Sequence, residues 1–248
     1  MGRIVWHLGL IALLTMLTQL GGIAWAVALV FRRRWLAFPL LYAALWMMAY
    51  AVAPLMARVP LPCGGAPLRM QSPLYCVMMR NFVTPELADV ARSAAATVAA
   101  AQPGTVTLAL DGGFPFLTGM PLLPHLSHDD GEKLDLAFYY TSPEGNYLPG
   151  KTRSPIGYWA FEGADPAACP PALLTARWSM AWLQPLWPDR RLDTARTARL
   201  VRTLLDDARV GKVFLEPPLA ARLGLTDPKL RFHGCRAARH DDHIHFQL

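Results

Sequence analysis

The end of the sequence carries a dense group of side chains that can bind a metal or move protons. His240, His243 and His245 lie within six positions, beside Asp241 and Asp242. Residues two apart in a β-strand point to the same face of the sheet, so a strand here would place the imidazoles of His243 and His245 side by side. Imidazoles with neighbouring carboxylates are typical of zinc sites. The segment therefore predicts one half of a metal site.

A second group of such side chains lies in the middle of the chain. His125 and His128 are three residues apart, and a turn is predicted at Gly131. Asp135 then stands at the start of a mostly apolar stretch, 134–140, that is predicted to be a strand. This group is the best candidate for the other half of the site.

The two groups together contain enough ligands for a catalytic zinc ion. Such a zinc takes three protein ligands from histidine and carboxylate residues and keeps a fourth position for water. His128, Asp135 and His245 could supply two imidazoles and one carboxylate. His243 and His240 would then remain to carry protons, since imidazole titrates near neutral pH, or to support the ligands.

The elements that must position these residues mix helices and strands without a regular βαβ repeat. Helices are predicted at 84–101, 173–187, 193–209 and 217–223, and strands at 105–110, 134–140, 210–215 and 243–248. Residues 141–171 are rich in Pro and Gly and predict a long loop, which in a compact domain is often functional. The pattern favours an α+β fold in which helices flank a small antiparallel sheet.

Two apolar runs precede this domain. Residues 4–31 and 35–56 are each long enough to cross a hydrocarbon core of about 30 Å as a helix, and three arginines at 32–34 separate them. The pattern predicts a transmembrane helical hairpin within residues 1–58, a linker at 59–83 and a single domain at 84–248 that contains both histidine groups.

The charges of the hairpin predict its orientation. Basic loops tend to stay in the cytoplasm, so the arginines at 32–34 predict that the domain faces the periplasm of a bacterial inner membrane. A cleavable signal peptide is the alternative, because Ala24-Trp25-Ala26 resembles a cleavage site. Against it, the apolar run is longer than a usual signal, and cleavage would leave the three arginines outside.

The charge of the remaining chain argues against nucleic-acid binding. The formal net charge is +6, but no acidic residue precedes Glu86 and five arginines lie in the first 62 residues. Of the 24 basic residues, the other 19 face 18 acidic residues, which leaves the domain nearly neutral. A nucleic-acid-binding domain would show a strongly basic face.

The cysteines indicate an oxidising compartment. Cys63, Cys76, Cys169 and Cys235 all follow the apolar runs, and an even number in one domain suggests disulfides. Four cysteines allow three pairings, among which the sequence does not choose. Buried thiols and thiolate metal ligands are the alternatives, although no two cysteines form a CxxC pair.

The two histidine groups resemble the motifs of a known family. The chain contains His125-x-Ser127-His128-x-x-Gly131-x-x-x-Asp135 and then His240-x-x-His243-x-His245. This combination is similar to that of the penicillin-insensitive murein endopeptidases, which are zinc peptidases related to D-Ala-D-Ala carboxypeptidases and dipeptidases. The resemblance extends over about residues 105–248 and is specific at the two motifs.

The resemblance implies a role for each of these residues. The zinc ligands of the family correspond to His128, Asp135 and His245. His243 would be the catalytic base. His240 would lie near the metal-bound water and assist catalysis, and His125 would contact the substrate.

The sequence departs from the family pattern at two places near the first motif. Lys133 stands two positions before Asp135, where the murein endopeptidases usually carry an acid, and an ammonium near zinc would repel the metal. Asp129 and Asp130 make the segment after His128 more acidic than the family pattern. Either departure could change substrate choice or weaken metal binding.

The expected function is therefore hydrolysis of the peptide cross-links of peptidoglycan by a membrane-anchored zinc peptidase. The expected partners are the peptidoglycan peptide and, through residues 4–56, the membrane. A D-Ala-D-Ala carboxypeptidase would use the same ligands. A non-catalytic module that binds wall peptide is an alternative that Lys133 favours. A metal-dependent phosphoesterase is suggested by the His-Asp-Asp-His run alone, and the spacing from His128 to Asp135 argues against it.

Overall fold

The computed structural model describes residues 1–163, 169–170 and 172–248 and shows a mixed α+β fold, as predicted. The helices in this part of the chain are α1 (Gly2–Thr18), α2 (Gly21–Ala28), α3 (Arg34–Val52), α4 (Pro73–Val77), α5 (Pro85–Ala101), α6 (Thr194–Asp206) and α7 (Pro217–Arg222). The strands are β1 (Val59–Pro60), β2 (Leu68–Met70), β3 (Phe82–Val83), β4 (Thr107–Ala109), β5 (Lys133–Ala137), β6 (Tyr140–Thr141), β7 (Arg191–Leu192), β8 (Lys212–Phe214), β9 (Leu230–Arg231) and β10 (His243–Gln247). The predicted loop at 141–171 lies partly outside the described residues.

The first apolar run folds into two helices rather than the single helix predicted. α1 ends at Thr18, and Gln19 has a positive φ of 63° that breaks the helix. Thr18 Oγ1 accepts a hydrogen bond from the Gly21 N–H at 2.9 Å, where α2 begins. Gly22 lets α2 fold back closely on α1, because a Cβ at this position would lie 1.9 Å from Thr15 Oγ1.

This break changes the expected topology of the anchor. Among the described helices, only the segment Arg34–Met56 is long and apolar enough to cross a membrane, judged by length and composition. The predicted two-helix transmembrane hairpin is therefore not confirmed. α2 runs antiparallel to α1, because Trp25 contacts His7 near the start of α1, with ring centroids 5.9 Å apart, and it meets α3 at Trp35. The helices α1, α2 and α3 are here called the helical unit. The start of α1 and the arginines at 32–34 thus lie toward the same end of this unit.

A six-stranded sheet in the order β2-β4-β5-β10-β8-β9 forms the centre of the domain. The four inner strands pair antiparallel, as predicted, whereas β2 and β9 pair parallel with β4 and β8. The sheet is therefore mixed rather than antiparallel. Parallel neighbours need a crossover connection that usually holds a helix, and α5 and α7 lie in the two connections concerned.

The helices α5 and α6 pack on each other and against the sheet. Both begin where the sequence predicts, because each has a side chain that caps its free N–H groups. Thr84 Oγ1 accepts from the Leu87 N–H at 3.3 Å, and the Asp193 carboxylate accepts from the Arg196 N–H at 3.0 Å. Their apolar faces are buried in the main core, which holds the sheet in place.

The helix predicted at 173–187 is wrong. This segment is irregular apart from a 3-10 turn at Gln184–Leu186, and Met180 has a positive φ of 44°. Pro185 and Pro188 have no N–H to donate and clash with a preceding helical turn. The segment is instead tied to the rest of the domain by the disulfide Cys169–Cys235 close to its start.

Residues 59–83 contribute directly to the domain. β2 is the edge strand of the central sheet, and β1 pairs with β3. The disulfide Cys63–Cys76 joins the residues after β1 to α4. With Cys169–Cys235, this pairing accounts for all four cysteines and selects one of the three alternatives.

Candidate metal centre

Two neighbouring strands carry one half of the candidate site. β10 pairs with β5 in a register that places His245 opposite Asp135 and His243 opposite Ala137. Directly opposite residues of an antiparallel pair present their side chains on the same face. Accordingly, His245 Nδ1 lies 2.8 Å from Asp135 Oδ1, and both side chains are buried.

The other half comes from the segment 114–131, here called the histidine loop, which contains no helix or strand. His128 lies on this loop and is 1% exposed. Its Nε2 atom is 3.1 Å from His245 Nδ1 and 3.3 Å from Asp135 Oδ1. The three side chains that the sequence nominates as ligands thus converge from distant parts of the chain.

The geometry of these three atoms fits a zinc ion. Ligands at about 2.0–2.1 Å from a tetrahedral zinc lie about 3.3 Å from one another, and the three distances here are 2.8, 3.1 and 3.3 Å. Two imidazoles and a carboxylate are also a donor set that leaves one position open in catalytic zinc sites. His128, Asp135 and His245 could therefore hold a metal ion.

Neighbouring groups orient the ligands. His128 Nδ1 lies 2.8 Å from the carbonyl oxygen of Gly112, and because a carbonyl can only accept, Nδ1 carries a proton and Nε2 is the atom directed at Asp135 and His245. Tyr158 Oη donates to Asp135 Oδ2 at 2.7 Å, which leaves Oδ1 directed at the two histidines. Such outer partners commonly fix the tautomer and orientation of metal ligands.

Burial and the charges of neighbouring residues shift the pKa values of the candidate ligands. Burial alone raises the pKa of the Asp135 carboxyl, but the charges of His128 and His243 outweigh it and hold that pKa well below its usual range. Burial lowers the pKa of His245 to about 4. At neutral pH these two groups are a carboxylate and a neutral imidazole. Burial alone lowers the pKa of His128, but the Asp135 carboxylate outweighs burial and raises that pKa. A metal ion that binds here would therefore displace a proton from His128.

His243 is held as a proton carrier beside the ligands. Its Nδ1 donates to Asp242 Oδ1 at 2.6 Å, and Asp242 Oδ2 accepts from the Trp159 N–H at 2.6 Å. His243 Nε2 then lies 3.7 Å from Asp135 Oδ1. Burial alone would lower the pKa of His243, but Asp242 and Asp135 raise it to about 9.

His125 belongs to a second network next to the ligands. Its Nδ1 donates to Asp111 Oδ2 at 2.8 Å, and Arg80 donates to both carboxylate oxygens of Asp111, at 2.6 and 2.8 Å. Burial raises the pKa of Asp111, but Arg80 and His125 outweigh it and lower the pKa to about 2. Asp111, His125 and Asp135 are also close enough to hold a metal. Arg80 already occupies the Asp111 carboxylate, so this second group is the poorer metal site.

His240 lies beside the ligands rather than among them. It is 4% exposed, and its ring centroid lies 5.0 Å from His243 and 5.6 Å from His245. Its backbone N–H donates to Glu216 Oε1 at 3.3 Å, and that carboxylate is paired through both oxygens with Arg177, at 2.9 and 2.7 Å. Burial, with repulsion from His243 and His245, holds the pKa of His240 well below its usual range.

The two departures from the family pattern neutralise each other. Lys133 Nζ makes a close ion pair with Asp130 Oδ2 and lies 3.9 Å from Asp129 Oδ1. The ammonium is therefore engaged by the acids that follow His128. Its charge is balanced locally, which removes the physical reason to expect repulsion of a metal at Asp135.

A cleft of about 240 Å³ opens over the candidate ligands. The histidines that line it are His125, His128, His233, His240, His243 and His245. The irregular segment at 173–187 contributes Ala176 to its wall. A second cavity of about 140 Å³ adjoins the site at His125 and has a mostly apolar lining.

The histidine loop is held by side chains from the N-terminal part of the chain. Gln19 is buried, and its Oε1 accepts from the Phe116 N–H at 3.0 Å while its Nε2 contacts Met120 Sδ at 3.6 Å. Arg58 is also buried, donates to Thr118 Oγ1 at 3.0 Å and makes a short hydrogen bond to the carbonyl of Asp130. These contacts link residues 1–58 to the loop that carries His125 and His128.

Arg58 also requires the glycine of the first motif. Gly131 has a φ of +76°, and a Cβ there would lie 2.6 Å from Arg58 Nε. Any larger residue at this position would be strained in its backbone and would displace the guanidinium. The structure thus gives a physical reason for glycine in the His128 to Asp135 spacing.

Several residues of the site are not identifiable from the sequence motifs. These residues are Arg80, Asp111, Tyr158, His233 and Glu216. Asp111 and Glu216 each follow a predicted strand, which is a weak signal. Arg80, Tyr158 and His233 lie in segments predicted to be irregular and reach the site only through the folded chain.

Comparison of the sequence with protein-family models finds no match, and comparison with curated proteins finds no significant match. The resemblance to the murein endopeptidases therefore rests on the residues of the two motifs.

Proposed function

We propose that the protein is a membrane-anchored, zinc-dependent peptidase that hydrolyses the peptide cross-links of peptidoglycan. The observation that carries the proposal is the convergence of His128 Nε2, Asp135 Oδ1 and His245 Nδ1 within 3.3 Å of one another. This donor set is typical of a catalytic zinc site. It also agrees with the roles that the motif resemblance implies.

A zinc ion held by these three residues would polarise the scissile carbonyl and lower the pKa of a water molecule. A metal cation held at Asp135 would oppose the positive charge of the His243 imidazolium and so lower its pKa. Nε2 of His243 could then take a proton from the attacking water and return it to the nitrogen of the leaving amine. Asp242 holds the His243 ring through Nδ1 and stabilises the imidazolium that forms.

The remaining histidines are assigned to substrate and support. His125 lines both the cleft and the adjoining cavity, so it can contact a bound peptide. Asp111 fixes its Nδ1, which leaves Nε2 for the substrate. His240 lines the same cleft and assists catalysis there, because its neutral ring adds no positive charge beside His243.

The same proposal places the domain in the periplasm of a bacterial inner membrane. Two disulfides are compatible with an oxidising compartment. One helical segment, Arg34–Met56, is long and apolar enough to act as the anchor. The arginines at 32–34 favour a cytoplasmic location for the end of the helical unit that is remote from the domain.

Mass analysis of muropeptides tests the proposal. The full chain, purified in detergent and supplied with zinc, should convert cross-linked dimers into monomers. His243→Ala should keep bound zinc and lose cleavage, whereas His245→Ala should lose both. Lys133→Gln lies on the same strand as Asp135 and serves as a control that should keep both.

The products also separate the proposal from its alternatives. Release of terminal D-alanine with dimers left intact would replace an endopeptidase with a carboxypeptidase. Bound zinc without any cleavage would contradict the enzymatic proposal and favour a binding module.

A further inference from the structure

The arginine-rich end of the helical unit sets the depth at which the domain would sit in a membrane. Arginines favour the water side of a bilayer, and the three at 32–34 immediately precede or begin α3. An α-helix rises 1.5 Å per residue, so Tyr42 lies about 12 Å and Tyr50 about 24 Å from Arg34. Both positions fall within a hydrocarbon core of about 30 Å.

The domain contacts α3 between these two depths, at Tyr42 and Trp46. Tyr42 Oη donates to the carbonyl of Val77 at 2.6 Å, and Trp46 Nε1 donates to the carbonyl of Cys76 at 2.8 Å. Both carbonyls belong to α4. If α3 crosses the membrane, α4 must therefore lie beside the spanning part of α3 rather than above it, and no charged residue occurs in α4.

Exposed apolar side chains extend from α4 toward the metal centre. We call them the apolar face: Leu74 and Val77 on α4, which are 53% and 52% exposed, and Leu123 and Leu126 on the histidine loop, which are 40% and 59% exposed. Exposed apolar patches of this kind mark interaction sites with membranes or proteins. Because Val77 is hydrogen-bonded to Tyr42, the apolar face is continuous with α3, and bilayer hydrocarbon is its expected occupant.

The apolar cavity of about 140 Å³ opens between α4 and the histidine loop. Its apolar lining includes Leu74, Met78, Leu123, Ile156 and Trp159. Leu74 and Leu123 also belong to the apolar face, so the cavity opens toward that surface. His125 and Tyr158, whose ring centroids are 4.5 Å apart, lie at its inner side next to the ligands.

The charged residues of the cavity are already paired with each other. Arg80 and Asp111 line it, and the guanidinium of Arg80 donates to both oxygens of the Asp111 carboxylate. An apolar ligand would therefore leave no charge without a partner.

We propose that this cavity binds the hydrocarbon part of a membrane lipid, and that the peptide cleaved at the metal centre is attached to such a lipid. The first statement rests on the apolar face, the cavity and the membrane crossing of α3, which is the anchoring part of the proposed function. The second rests on the proposed peptidase function. The peptide would extend from the cavity past His125 into the cleft that holds His243.

Photo-crosslinking tests the lipid site without reference to activity. The full chain is reconstituted in vesicles of phosphatidylethanolamine and phosphatidylglycerol that contain a phospholipid with a diazirine on its acyl chain. After irradiation, mass spectrometry locates the label. Label is expected on residues 74–78 and 123–126 as well as on α3. Label confined to residues 1–56 would overturn the proposal.

Matched leucine variants test the cavity itself. Leu74→Asn and Leu123→Asn replace exposed side chains and should preserve folding, and each should lower cavity labelling by about fivefold or more because apolar contact is lost. Leu186→Asn, at a 66% exposed leucine outside the apolar face, should change nothing. Label in the cavity that is unchanged in both cavity variants would contradict the proposal.

A pair of substrates tests the second statement. The same peptidoglycan peptide is supplied to the reconstituted protein either free or attached to an acyl anchor in the same vesicles. The anchored peptide should have the higher kcat/KM, and Leu74→Asn on α4 should lower that value while leaving cleavage of the free peptide unchanged.

The outcomes distinguish this proposal from the peptidase function. Equal kcat/KM for both peptides, or an equal loss for both in Leu74→Asn, would contradict the lipid-linked substrate. Cavity labelling without cleavage of either peptide would reject the peptidase function and retain the lipid site.

Discussion

The two halves of the candidate metal centre are held in place by different means. Asp135, His243 and His245 lie on the central strands β5 and β10, whose paired backbones set the positions of the side chains. His125 and His128 lie on the histidine loop, which has no strand or helix to fix it. One half is thus positioned by main-chain hydrogen bonds within a sheet, and the other by side chains from elsewhere.

Those side chains come mainly from the part of the chain that the sequence identifies as an anchor. Gln19 and Arg58 hydrogen-bond four positions of the histidine loop between them. The N-terminal part of the chain therefore has a role besides the membrane attachment proposed for it, because it holds the segment that carries the candidate ligand His128. We expect the loop half to be the more sensitive to changes far from the site.

Loss of a ligand from either half should have the largest effect. His128→Ala and His245→Ala should each weaken zinc binding by more than about 100-fold, since loss of an outer partner alone costs about 10–100-fold. Competition titration with a zinc chelator measures the affinity. A variant of either half that keeps the affinity of the unaltered protein would show that its residue is not a ligand.

Loss of Arg58 should have the next largest effect and should act on the loop half alone. Arg58→Ala removes charge-assisted hydrogen bonds worth about 1.5–3 kcal/mol each, which should lower zinc affinity about tenfold or more. Hydrogen exchange should become faster in residues 114–131 and stay unchanged in β5 and β10.

Two further arginine variants control this prediction. Arg58→Lys keeps the charge and should recover part of the affinity. Arg209→Ala removes an arginine paired with acids outside the site and should leave zinc binding unchanged. Faster exchange throughout the domain in Arg58→Ala would mean that Arg58 stabilises the whole fold rather than the loop.

Gln19→Ala should show the same selectivity with a smaller magnitude. It removes a neutral hydrogen bond to the Phe116 N–H, and such bonds contribute about 0.5–1.5 kcal/mol. Exchange at Phe116 should accelerate, while zinc affinity should change less than in Arg58→Ala. Protection at Phe116 that matches the unaltered protein would show that the anchor does not hold the loop at this point.

The sequence could predict the strand half of the site better than the loop half. Side chains two apart in a β-strand share a face, so the sequence alone places His243 and His245 side by side. The spacing from His128 to Asp135 can likewise be read from one short stretch of sequence. The pairing of His245 with Asp135 depends on register, which only the folded sheet supplies. The contacts of Gln19, Arg58 and Tyr158 join residues far apart in the chain, and no local pattern indicates them.

The errors in the fold have a similar origin. Hydropathy alone predicts a continuous first helix, although the hydroxyl of Thr18 and the small size of Gly22 allow the chain to turn back. The sheet is mixed because crossover connections through α5 and α7 make two strand pairs parallel. The sequence pattern of an individual strand does not indicate whether its neighbour is parallel or antiparallel. The sequence wrongly predicts a helix at 173–187 because the spacing of its apolar residues resembles a helical period. Pro185 within the segment is the signal against a helix.

Lys133→Gln should have the smallest effect. Lys133 is partly exposed and pairs with Asp130, which is also partly exposed, and such pairs contribute about 0–1 kcal/mol. Zinc affinity should therefore stay nearly constant, and thermal unfolding should shift only slightly. A marked gain in zinc affinity would show that the ammonium does repel the metal.

Anomalous diffraction at the zinc edge from crystals of the zinc-loaded full chain tests the central claim most directly. We expect one zinc bound by His128 Nε2, Asp135 Oδ1 and His245 Nδ1 at about 2.0–2.2 Å, with His243 nearby but not coordinated. A zinc bound without His128, or ligated instead through His125 and Asp111, would contradict the assignment of His128, Asp135 and His245 as the ligands of the metal centre.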